Sequence, residues 1–543
     1  WPELAPGDVT EVVIKSWTSQ AVGGRGDAPF TFFDYAGATT TRPLLYNRVI
    51  VTSPKDKQIH VDVLHAGSMK RTERDEDGEH VVDLVWDTPV VVPDEPFAPP
   101  LSEVVPLVVG STFKNWDAFR KWYAEAVKGF TEPDEQVKRL AAELTKGKTT
   151  KDEKLKALFE FVADDIRYVN YVSGEWWLPN RPQQLLARRE GDCDDKAILL
   201  ISLLKAVGIE AQEVLVQTRQ TNMPSVLKAP GAAVPQFDHG IAFLPGPNGG
   251  RYLDATSPQS RLGPIPSMDA RAVALRMDGP AEIVELPNAL PADHGSDSVW
   301  NIAVNRDGAA KIAGKELHMG DSAFFLRTAL REEEGRSQYV EQNLIGGYFP
   351  QLSVDKGVGF QGDLSGGKSE VSYTAFSEAW GRKEGDALVL PLSASATLAS
   401  TFAPSPSRLL PVELPSQLAP SHRTITFVVD APKGGKWGVL PKGGTVEGGE
   451  FGKSSLTFSQ QGDKITVKRT LIFDANKVPV AKYPAFRKFL LETDALMHKS
   501  LRLDVAHAEA PVPEKPAEPT KKLPPPAKHG AGIGKKATTG AAK

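Results

Sequence analysis

The distribution of hydrophobic and polar positions divides the chain into regions of two kinds. From Thr10 to about Trp86, hydrophobic and polar residues alternate in short runs such as TEVVIKSW and DKQIHVDVLHAG, separated by Gly and Asp clusters. Such alternation is typical of antiparallel strands with one buried face. The same pattern returns beyond about Pro291, for example in SDSVWNIAV and HRTITFVVDAP. We therefore predict an N-terminal β-sandwich and one or two further β-sandwich units towards the C-terminus.

Hydrophobic residues three and four positions apart dominate the region between these two. The spacing predicts helices over four stretches here and over two more inside the second β-rich region: 114–127, 134–146, 151–166, 192–207, 320–344 and 483–498. Ser111 or Thr112 is suited to cap the first helix, and Gly208 is suited to end the fourth. After it, FDHGIAFL joins GRYLDAT through the turn PGPNGG, which predicts a β-hairpin.

These patterns predict an α+β multidomain protein with four parts. They are an N-terminal β-sandwich domain (1–130), a mixed core (131–280), a C-terminal β-rich domain or domains (281–505) and a tail (506–543). The length of 543 residues suits three or four domains, and 41% hydrophobic with 24% charged residues is ordinary globular composition. The tail is a mixture of Pro, Ala, Lys and Gly that has too little apolar surface to bury a core, so we predict that it is disordered.

Charge and hydropathy exclude some classes of partner. The net charge of −4 gives no reason to expect nucleic-acid binding. The tail carries seven Lys against three Glu, which suits association with an anionic surface such as a cell envelope, or a simple linker. The longest uncharged stretch, 387–407, is broken by prolines and rich in Ser and Thr, so we predict no transmembrane segment. The chain begins with Trp1 rather than Met, which is compatible with a removed leader or further domains.

The chain has one cysteine, Cys193, so an intrachain disulfide or a multi-cysteine metal site is excluded. Cys193 lies in GDCDDKA at the predicted start of a helix, where backbone N–H groups and the helix dipole favour a thiolate. Asp192, Asp194 and Asp195 oppose that effect, and the pattern alone does not give the net sign. A lone cysteine is more often a small buried side chain than a nucleophile.

A base and an orienting carboxylate are present downstream. His239 lies in FDHGIAFL and Asp254 lies in RYLDATSP, so the predicted hairpin would place them roughly opposite each other. A Cys at a helix start, a His that takes its proton and an Asp that holds the imidazole form the arrangement of nucleophile, base and orienting group. Taken alone, His239 is more simply a structural histidine.

Four segments together carry a family resemblance: KDEKLKALFEFVADDIRYV, PNRPQQLLARREGDCDDKAILLISLLKAVGIEA, FDHGIAFL and YLDATSP. They resemble the core of the transglutaminase-like superfamily of papain-like cysteine enzymes over about 134–258. The resemblance implies that Cys193 is the nucleophile, His239 the general base and acid, and Asp254 the third member of a catalytic triad. The N-terminal region and YPAFRKFLLETDALMHKSLRL resemble bacterial envelope proteins in which an uncharacterised β-domain precedes such a core.

Further candidate residues lie close to the predicted triad in sequence. Catalysis of this kind needs an oxyanion donor beside the backbone N–H of Cys193, and Tyr168, Trp176, Trp177 or Gln183 could supply it. Each is more simply a packing residue. The segment 219–236, just before His239, is either a lid or an ordinary long connection.

No metal and no cofactor are expected. Asp192, Asp194 and Asp195 form an acidic set, but carboxylates at a helix start usually cap the helix and complement its dipole.

The leading hypothesis is a cysteine enzyme that attacks amide or peptide bonds of a protein or peptide substrate through a thioester intermediate. Hydrolysis is favoured over transamidation because nothing in the sequence indicates a dedicated amine-acceptor site. The resemblance implies a periplasmic or cell-envelope location. The alternative is a non-catalytic binding or scaffold protein of the bacterial envelope, in which the triad is vestigial.

Overall fold

The computed structural model describes residues 30–35, 45–57, 59–89, 91–170, 178–219, 237–257, 260–277, 282–364, 366–394, 396–416 and 418–508. Its first part contains two three-stranded antiparallel sheets, in the orders β1-β6-β3 and β2-β5-β4. The strands are β1 (Thr31–Tyr35), β2 (Asn47–Pro54), β3 (His60–Leu64), β4 (Lys70–Glu76), β5 (Glu79–Trp86) and β6 (Leu107–Ser111). Val51, Val61, Leu84 and Val108 contribute to one buried cluster, so residues from both sheets share a core. The stretch 10–29 of the predicted β-sandwich lies outside the described residues.

The central part is a five-stranded antiparallel sheet with helices packed against it. The strand order is β11-β10-β9-β12-β13. The elements are α1 (Trp116–Ala126), α2 (Glu135–Leu144), α3 (Lys151–Asp165), β7 (Arg167–Tyr168), α4 (Pro182–Arg188), β8 (Glu190–Gly191), α5 (Cys193–Ala206), β9 (Gln212–Gln217), β10 (His239–Leu244), β11 (Arg251–Leu253), β12 (Val273–Arg276) and β13 (Glu282–Glu285). The apolar residues of α2, α3 and α5 form a continuous core with Ala242 and Leu253 of the sheet.

Local sequence explains most of these helices. Helix α3 begins with a capping box, in which Thr150 accepts from the backbone N–H of Glu153 and the Glu153 side chain accepts from the backbone N–H of Thr150. Helix α5 ends just before Gly208, as predicted. The cap expected for α1 was wrong: Asn115, not Ser111 or Thr112, accepts from the backbone of Ala118. Ser111 cannot cap α1 because it is still paired in β6.

Helix α1 packs against the central sheet. Its aromatic side chains form a buried cluster with Leu215 and Leu275. The Tyr123 hydroxyl donates a 2.7 Å hydrogen bond to Glu213 of β9, and both residues are buried. The sequence predicted that α1 belongs to the N-terminal domain (1–130) and that its aromatic residues serve in packing. In the structure these residues pack against the central sheet. The domain boundaries themselves stay predictions.

The C-terminal part is built on a nine-stranded sheet and a four-stranded sheet. The first has the order β16-β18-β15-β14-β22-β26-β25-β24, with β17 also paired to β18, and the second has the order β19-β20-β28-β23. The strands are β14 (Gly295–Val304), β15 (Ala310–Met319), β16 (Leu352–Val354), β17 (Gly359–Leu364), β18 (Lys368–Ser377), β19 (Arg382–Glu384), β20 (Ala387–Pro391), β21 (Val412–Glu413), β22 (Ser421–Asp430), β23 (Lys436–Trp437), β24 (Gly444–Glu447), β25 (Gly452–Gln461), β26 (Lys464–Phe473), β27 (Lys477–Val478) and β28 (Ser500–Asp504). Trp300 and Phe427 of the larger sheet share a buried core with Leu390 and Leu503 of the smaller one.

The helices of this part correct one prediction. They are α6 (Asp321–Ala329), α7 (Arg336–Tyr339), α8 (Leu398–Phe402) and α9 (Tyr483–Met497). Helix α9 matches the predicted stretch 483–498, but the single helix predicted over 320–344 is interrupted after Ala329. Gly335 has a positive φ of 88°, a conformation that breaks the helical path before α7, and 340–345 continues as a π-helix.

Two polar contacts join the central and C-terminal parts. Arg261 forms ion pairs with Asp164 of α3 and with Asp363 of β17. The backbone N–H of Ser267 donates to Asp321 at the start of α6, at 3.1 Å. The segment 254–270, which follows β11, is therefore held from both sides. Of the helices that the structure describes, none is both long and apolar enough to cross a membrane.

Candidate active site

Helix α5 presents Cys193 as its first residue. Asp192 is the N-cap and accepts a 3.0 Å hydrogen bond from the backbone N–H of Asp195, and the Asp195 side chain accepts in return from the backbone of Asp192. Asp195 is fully buried and also accepts 3.2 Å hydrogen bonds from the Asn180 amide. The acidic residues around the cysteine thus include two that fix the start of the helix, in the capping role expected from the sequence.

The hairpin of β10 and β11 brings His239 and Asp254 together. Ala242 of β10 is paired with Leu253 of β11, so Asp254 follows directly after the last paired position of the hairpin. His239 Nε2 lies 3.3 Å from Asp254 Oδ2, and both residues are only 6% exposed. The contact has the distance of an ion pair without the angle of a directed hydrogen bond. The imidazole also lies close enough to the thiol of Cys193 for the two groups to shift each other's pKa, that of the thiol downwards and that of the imidazole upwards. The three residues predicted from the sequence therefore form one contiguous cluster.

A glycine allows the helix and the strand to approach this closely. A Cβ added to Gly240 would lie 1.8 Å from Asp194 Oδ1 and 3.2 Å from Asp194 Cα. Gly240 follows His239, and Asp194 follows Cys193. The missing side chain at 240 is thus what lets the start of α5 lie against the start of β10.

Two further groups hold Asp254 and its surroundings. The backbone N–H of Thr256 donates a 2.8 Å hydrogen bond to Asp254 Oδ1. Lys196, one turn after Cys193 on α5, is only 1% exposed and donates to the carbonyl oxygens of Ile166 at 2.8 Å and Thr256 at 2.7 Å. Burial lowers the pKa of Lys196 to about 8, against the attraction of Asp254. Lys196 thereby links α5 to the end of α3 and to the segment that carries Asp254.

The charge distribution favours a protonated thiol beside an imidazolium–carboxylate pair. Burial and then the Asp194 carboxylate raise the pKa of the Cys193 thiol, and the net value is about 11 although His239 opposes both. Burial lowers the pKa of His239, but Asp254 outweighs it, so the pKa lies well above its usual range. Burial raises the pKa of Asp254, and His239 outweighs it in turn, so that pKa is lowered. The sequence left open whether the pKa of Cys193 is raised or lowered. It is raised, so the thiol is favoured over the thiolate despite the position at the helix start.

The candidate oxyanion donors lie in different places. Tyr168 of β7 is 38% exposed, and its pKa is raised to about 12 by burial and by its proximity to Cys193, so it borders the site. Gln183 of α4 donates its side-chain N–H to Asp134 at 2.8 Å, which commits that amide to the start of α2 rather than to Cys193. Trp176 and Trp177 lie outside the described residues, as does 220–236 of the segment weighed as a lid.

One residue of the site was not foreseen from the sequence. Asp269 is fully buried, and one of its carboxylate oxygens, one His239 nitrogen and one Asp254 oxygen all lie within 4.8 Å of one another. Burial raises the pKa of Asp269 to about 8. Its position in the turn 266–272 carries no sequence signal, because only the tertiary fold brings that turn to the hairpin.

The donor types of His239, Asp254 and Asp269 would suit a divalent metal ion. His239, however, already contacts both the thiol of Cys193 and Asp254. Proton transfer is therefore the chemistry that these contacts support best, and the absence of a metal remains the expectation from the sequence.

The comparison with protein families gives the class of the central part. Residues 138–240 match the model of the transglutaminase-like superfamily, and residues 386–503 match a domain of unknown function, DUF3858. The first match contains both Cys193 and His239. The chain therefore contains a transglutaminase-like core within an α+β multidomain fold, which confirms the resemblance and the fold class predicted from the sequence.

One solved structure agrees with this chain at the level of the fold. A "putative protease" from Parabacteroides distasonis ATCC 8503 aligns with 88% of this chain and 75% of its own, with a TM-score of 0.56 and 15% identity. A "putative cysteine protease" from Cytophaga hutchinsonii covers 42% of this chain and 72% of its own, with a TM-score of 0.20 and 14% identity. The periplasmic domain of TgpA from Pseudomonas aeruginosa covers 44% and 76%, with a TM-score of 0.17 and 15% identity. No curated protein matches the sequence.

Proposed function

We propose that this protein is a cysteine enzyme that cleaves amide or peptide bonds through Cys193, His239 and Asp254. The observation that carries the proposal is the contiguous arrangement of the three side chains, in which the thiol interacts with an imidazole whose Nε2 lies 3.3 Å from a buried carboxylate. This is the geometry of nucleophile, base and orienting group. The likeness to proteins called proteases supports the same class of reaction.

The proposed reaction has two halves. Once the Cys193–His239 pair has lost one proton, the sulfur attacks the carbonyl carbon and forms a C–S bond, and the imidazolium donates a proton to the leaving nitrogen as the C–N bond breaks. Water then adds to the thioester and gives a proton to His239. The C–S bond breaks, and the products are a carboxylic acid and the regenerated thiol. Asp254 stabilises the imidazolium in both halves.

Water is the proposed acceptor of the acyl group, because nothing in the sequence indicates a dedicated site for a second amine. The proposed substrate is a protein or peptide. A periplasmic or envelope location is part of the proposal and rests on the family resemblance, and the basic tail is the proposed contact with an anionic surface.

The test compares Cys193→Ala with the wild type on a peptide library and on glutamine peptides offered with and without an amine. We expect cleavage by the wild type, loss of at least about 10³-fold in kcat/KM for the variant, and no amine incorporation. Ser202→Ala is the matched control: Ser202 is buried on the same helix, its hydroxyl has no hydrogen-bond partner among the described residues, and the change also removes one heavy atom. Cleavage that survives in Cys193→Ala would overturn the proposal.

The alternative function is a non-catalytic envelope scaffold with a vestigial triad. The observation that favours it is the pKa of the half-buried Cys193 thiol, which is raised to about 11. Alkylation discriminates the two functions because the chain has one cysteine. A thiol that reacts in the folded protein, more slowly in His239→Ala than in the wild type, supports the enzyme. Reaction only after denaturation supports the scaffold.

A further inference from the structure

The side chain of Asp269 is in an unusual situation for a carboxyl group. It is fully buried, and neither of its oxygens has a hydrogen-bond partner among the described residues. A buried polar group without a partner destabilises the folded protein, so its presence calls for a specific reason. The nearest ionisable atoms belong to His239 and Asp254, within 4.8 Å.

A purely structural role for this side chain does not fit the contacts. The turn that carries Asp269 is already fixed by backbone hydrogen bonds, from the Asp269 N–H to Pro266 at 3.0 Å and from the Ala272 N–H to the Asp269 carbonyl at 2.9 Å. The carbonyl of the preceding residue, Met268, accepts from the Arg219 backbone N–H at 2.8 Å. The carboxyl group contributes to none of these bonds. Its ionisable neighbours are instead the His239 imidazole and the Asp254 carboxylate, within 4.8 Å.

We propose that Asp269 is a positioning residue of the catalytic centre, whose carboxyl group acts through His239 and Asp254 to set the pH at which the Cys193–His239 pair becomes reactive. This inference rests on the proposed function. Asp269 touches neither the thiol nor the substrate in the proposed steps, so it acts on the reaction only through the charge that it presents to the imidazole.

The sign of the effect follows from the groups that face Asp269. Burial raises its pKa to about 8, the carboxylates of Asp254, Asp238 and Asp321 raise it, and His239 lowers it. Below about pH 8 the group is neutral. Above it, a second carboxylate faces the imidazolium beside Asp254 and stabilises the proton on His239. The pair then gives up its proton only at a higher pH than it would with a neutral residue at 269.

The experiment measures the second-order rate of iodoacetamide alkylation of the single cysteine from about pH 6 to 11, with EDTA present, in the full-length chain. Asp269→Asn keeps the shape of the side chain and cannot ionise. We expect its midpoint to lie at least about one pH unit below that of the wild type, as expected for the loss of a charge at this distance. Asp269→Glu keeps the ionisable carboxyl group, and we expect its midpoint to lie above that of Asp269→Asn, towards the wild-type value. Asp321→Asn is the comparison variant: it removes a carboxylate that faces Asp269 rather than the imidazole, so we expect a smaller shift than that of Asp269→Asn.

A wild-type midpoint in Asp269→Asn, with unchanged thermal stability, would overturn the proposal. If that variant does not fold, the dependence of the wild-type alkylation rate on pH decides. We expect this curve to require two ionisations, and a curve that one ionisation fits would also overturn the proposal. The measurement needs no substrate, so failure of this inference and failure of the proposed function can be told apart. Failure of the wild type to cleave any peptide would remove the proposed function, while the shift in alkylation would still report the effect of Asp269 on the pair.

Discussion

Gly240→Ala tests directly whether close approach of α5 to β10 creates the site. The new Cβ would lie 1.8 Å from Asp194 Oδ1, 2.9 Å from Asp194 Cγ and 3.2 Å from Asp194 Cα. Carbon atoms pack at about 3.5 Å, so the two elements or the Asp194 side chain must move by more than about 1 Å. Rotation of the side chain alone would not move the backbone of Asp194 away from the new methyl group. We expect overpacking to lower the free energy of unfolding by about 1–3 kcal/mol.

The same displacement separates Cys193 from His239, because each adjoins one of the clashing residues. A misplacement of about 1 Å at reacting groups costs about 10²-fold in rate, and we expect that loss in kcat/KM and a slower alkylation of Cys193. Urea unfolding followed by tryptophan fluorescence gives the stability of each variant. Asp194→Ala in the same chain removes the two closest clashing atoms and should restore most of the lost stability, as a favourable coupling in a double-mutant cycle.

The control for this series is Gly246→Ala in the same hairpin. Its Cβ would meet no atom closer than 3.9 Å, and its φ of −179° suits any residue, so we expect a change below about 0.5 kcal/mol. If Gly240→Ala unfolds at the wild-type urea concentration and is alkylated at the wild-type rate, the contact between α5 and β10 does not control the site.

Three other predictions concern the ionisable groups. Alkylation of wild-type Cys193 should have its midpoint well above the ordinary thiol value of about 8.5, because burial raises its pKa to about 11, and a midpoint at or below about 8 would contradict this. Asp254→Asn should lower kcat by about 10³-fold or more with little change in KM, because the imidazolium loses its carboxylate. Thr256→Val keeps the backbone N–H that donates to Asp254, and an equal loss of activity in that variant would contradict this assignment. The folded pKa of Lys196 is lowered from 10.5 to about 8, so the unfolded chain binds that proton more strongly between these values and Lys196 contributes a free energy of unfolding that rises from pH 8 to 10.5. The difference in free energy of unfolding between the wild type and Lys196→Met should therefore increase over this window, and a difference that is independent of pH would refute the assignment.

The sequence predicted those parts of the site that are encoded locally. The start of α5 is specified by Asp192 and Asp195 within four residues, and the hairpin is specified by its turn, so local signals placed Cys193 at a helix start and His239 near Asp254. The family resemblance, and not a local signal, joined Cys193 to the other two. Helix α4 was missed because seven residues are too few to establish a helical period, and its first residue, Pro182, is compatible with a loop.

The remaining features depend on tertiary contacts. Gln183 was a reasonable donor by its position in the chain, but whether its amide faces Cys193 or Asp134 is decided by how α4 packs on α2. Asp269 had no signal because its neighbours at the site are 15 and 30 residues away in sequence, at Asp254 and His239. The break after Ala329 could have been suspected from Gly335, a residue that permits a positive φ.

The anchoring of segment 254–270 has a consequence for how the molecule could be divided. The Asp254 carboxylate lies at the beginning of this segment, and Ser267 near its end is bonded to Asp321, beyond the predicted limit of the core at 280. Arg261 between them is paired with Asp363. A fragment that ends at 280 would retain Cys193, His239 and Asp254. It would lose the contacts of Arg261 with Asp363 and of Ser267 with Asp321, which hold the segment that carries Asp254. We therefore expect the smallest fragment that keeps Cys193, His239 and Asp254 in their observed arrangement to extend at least through β17.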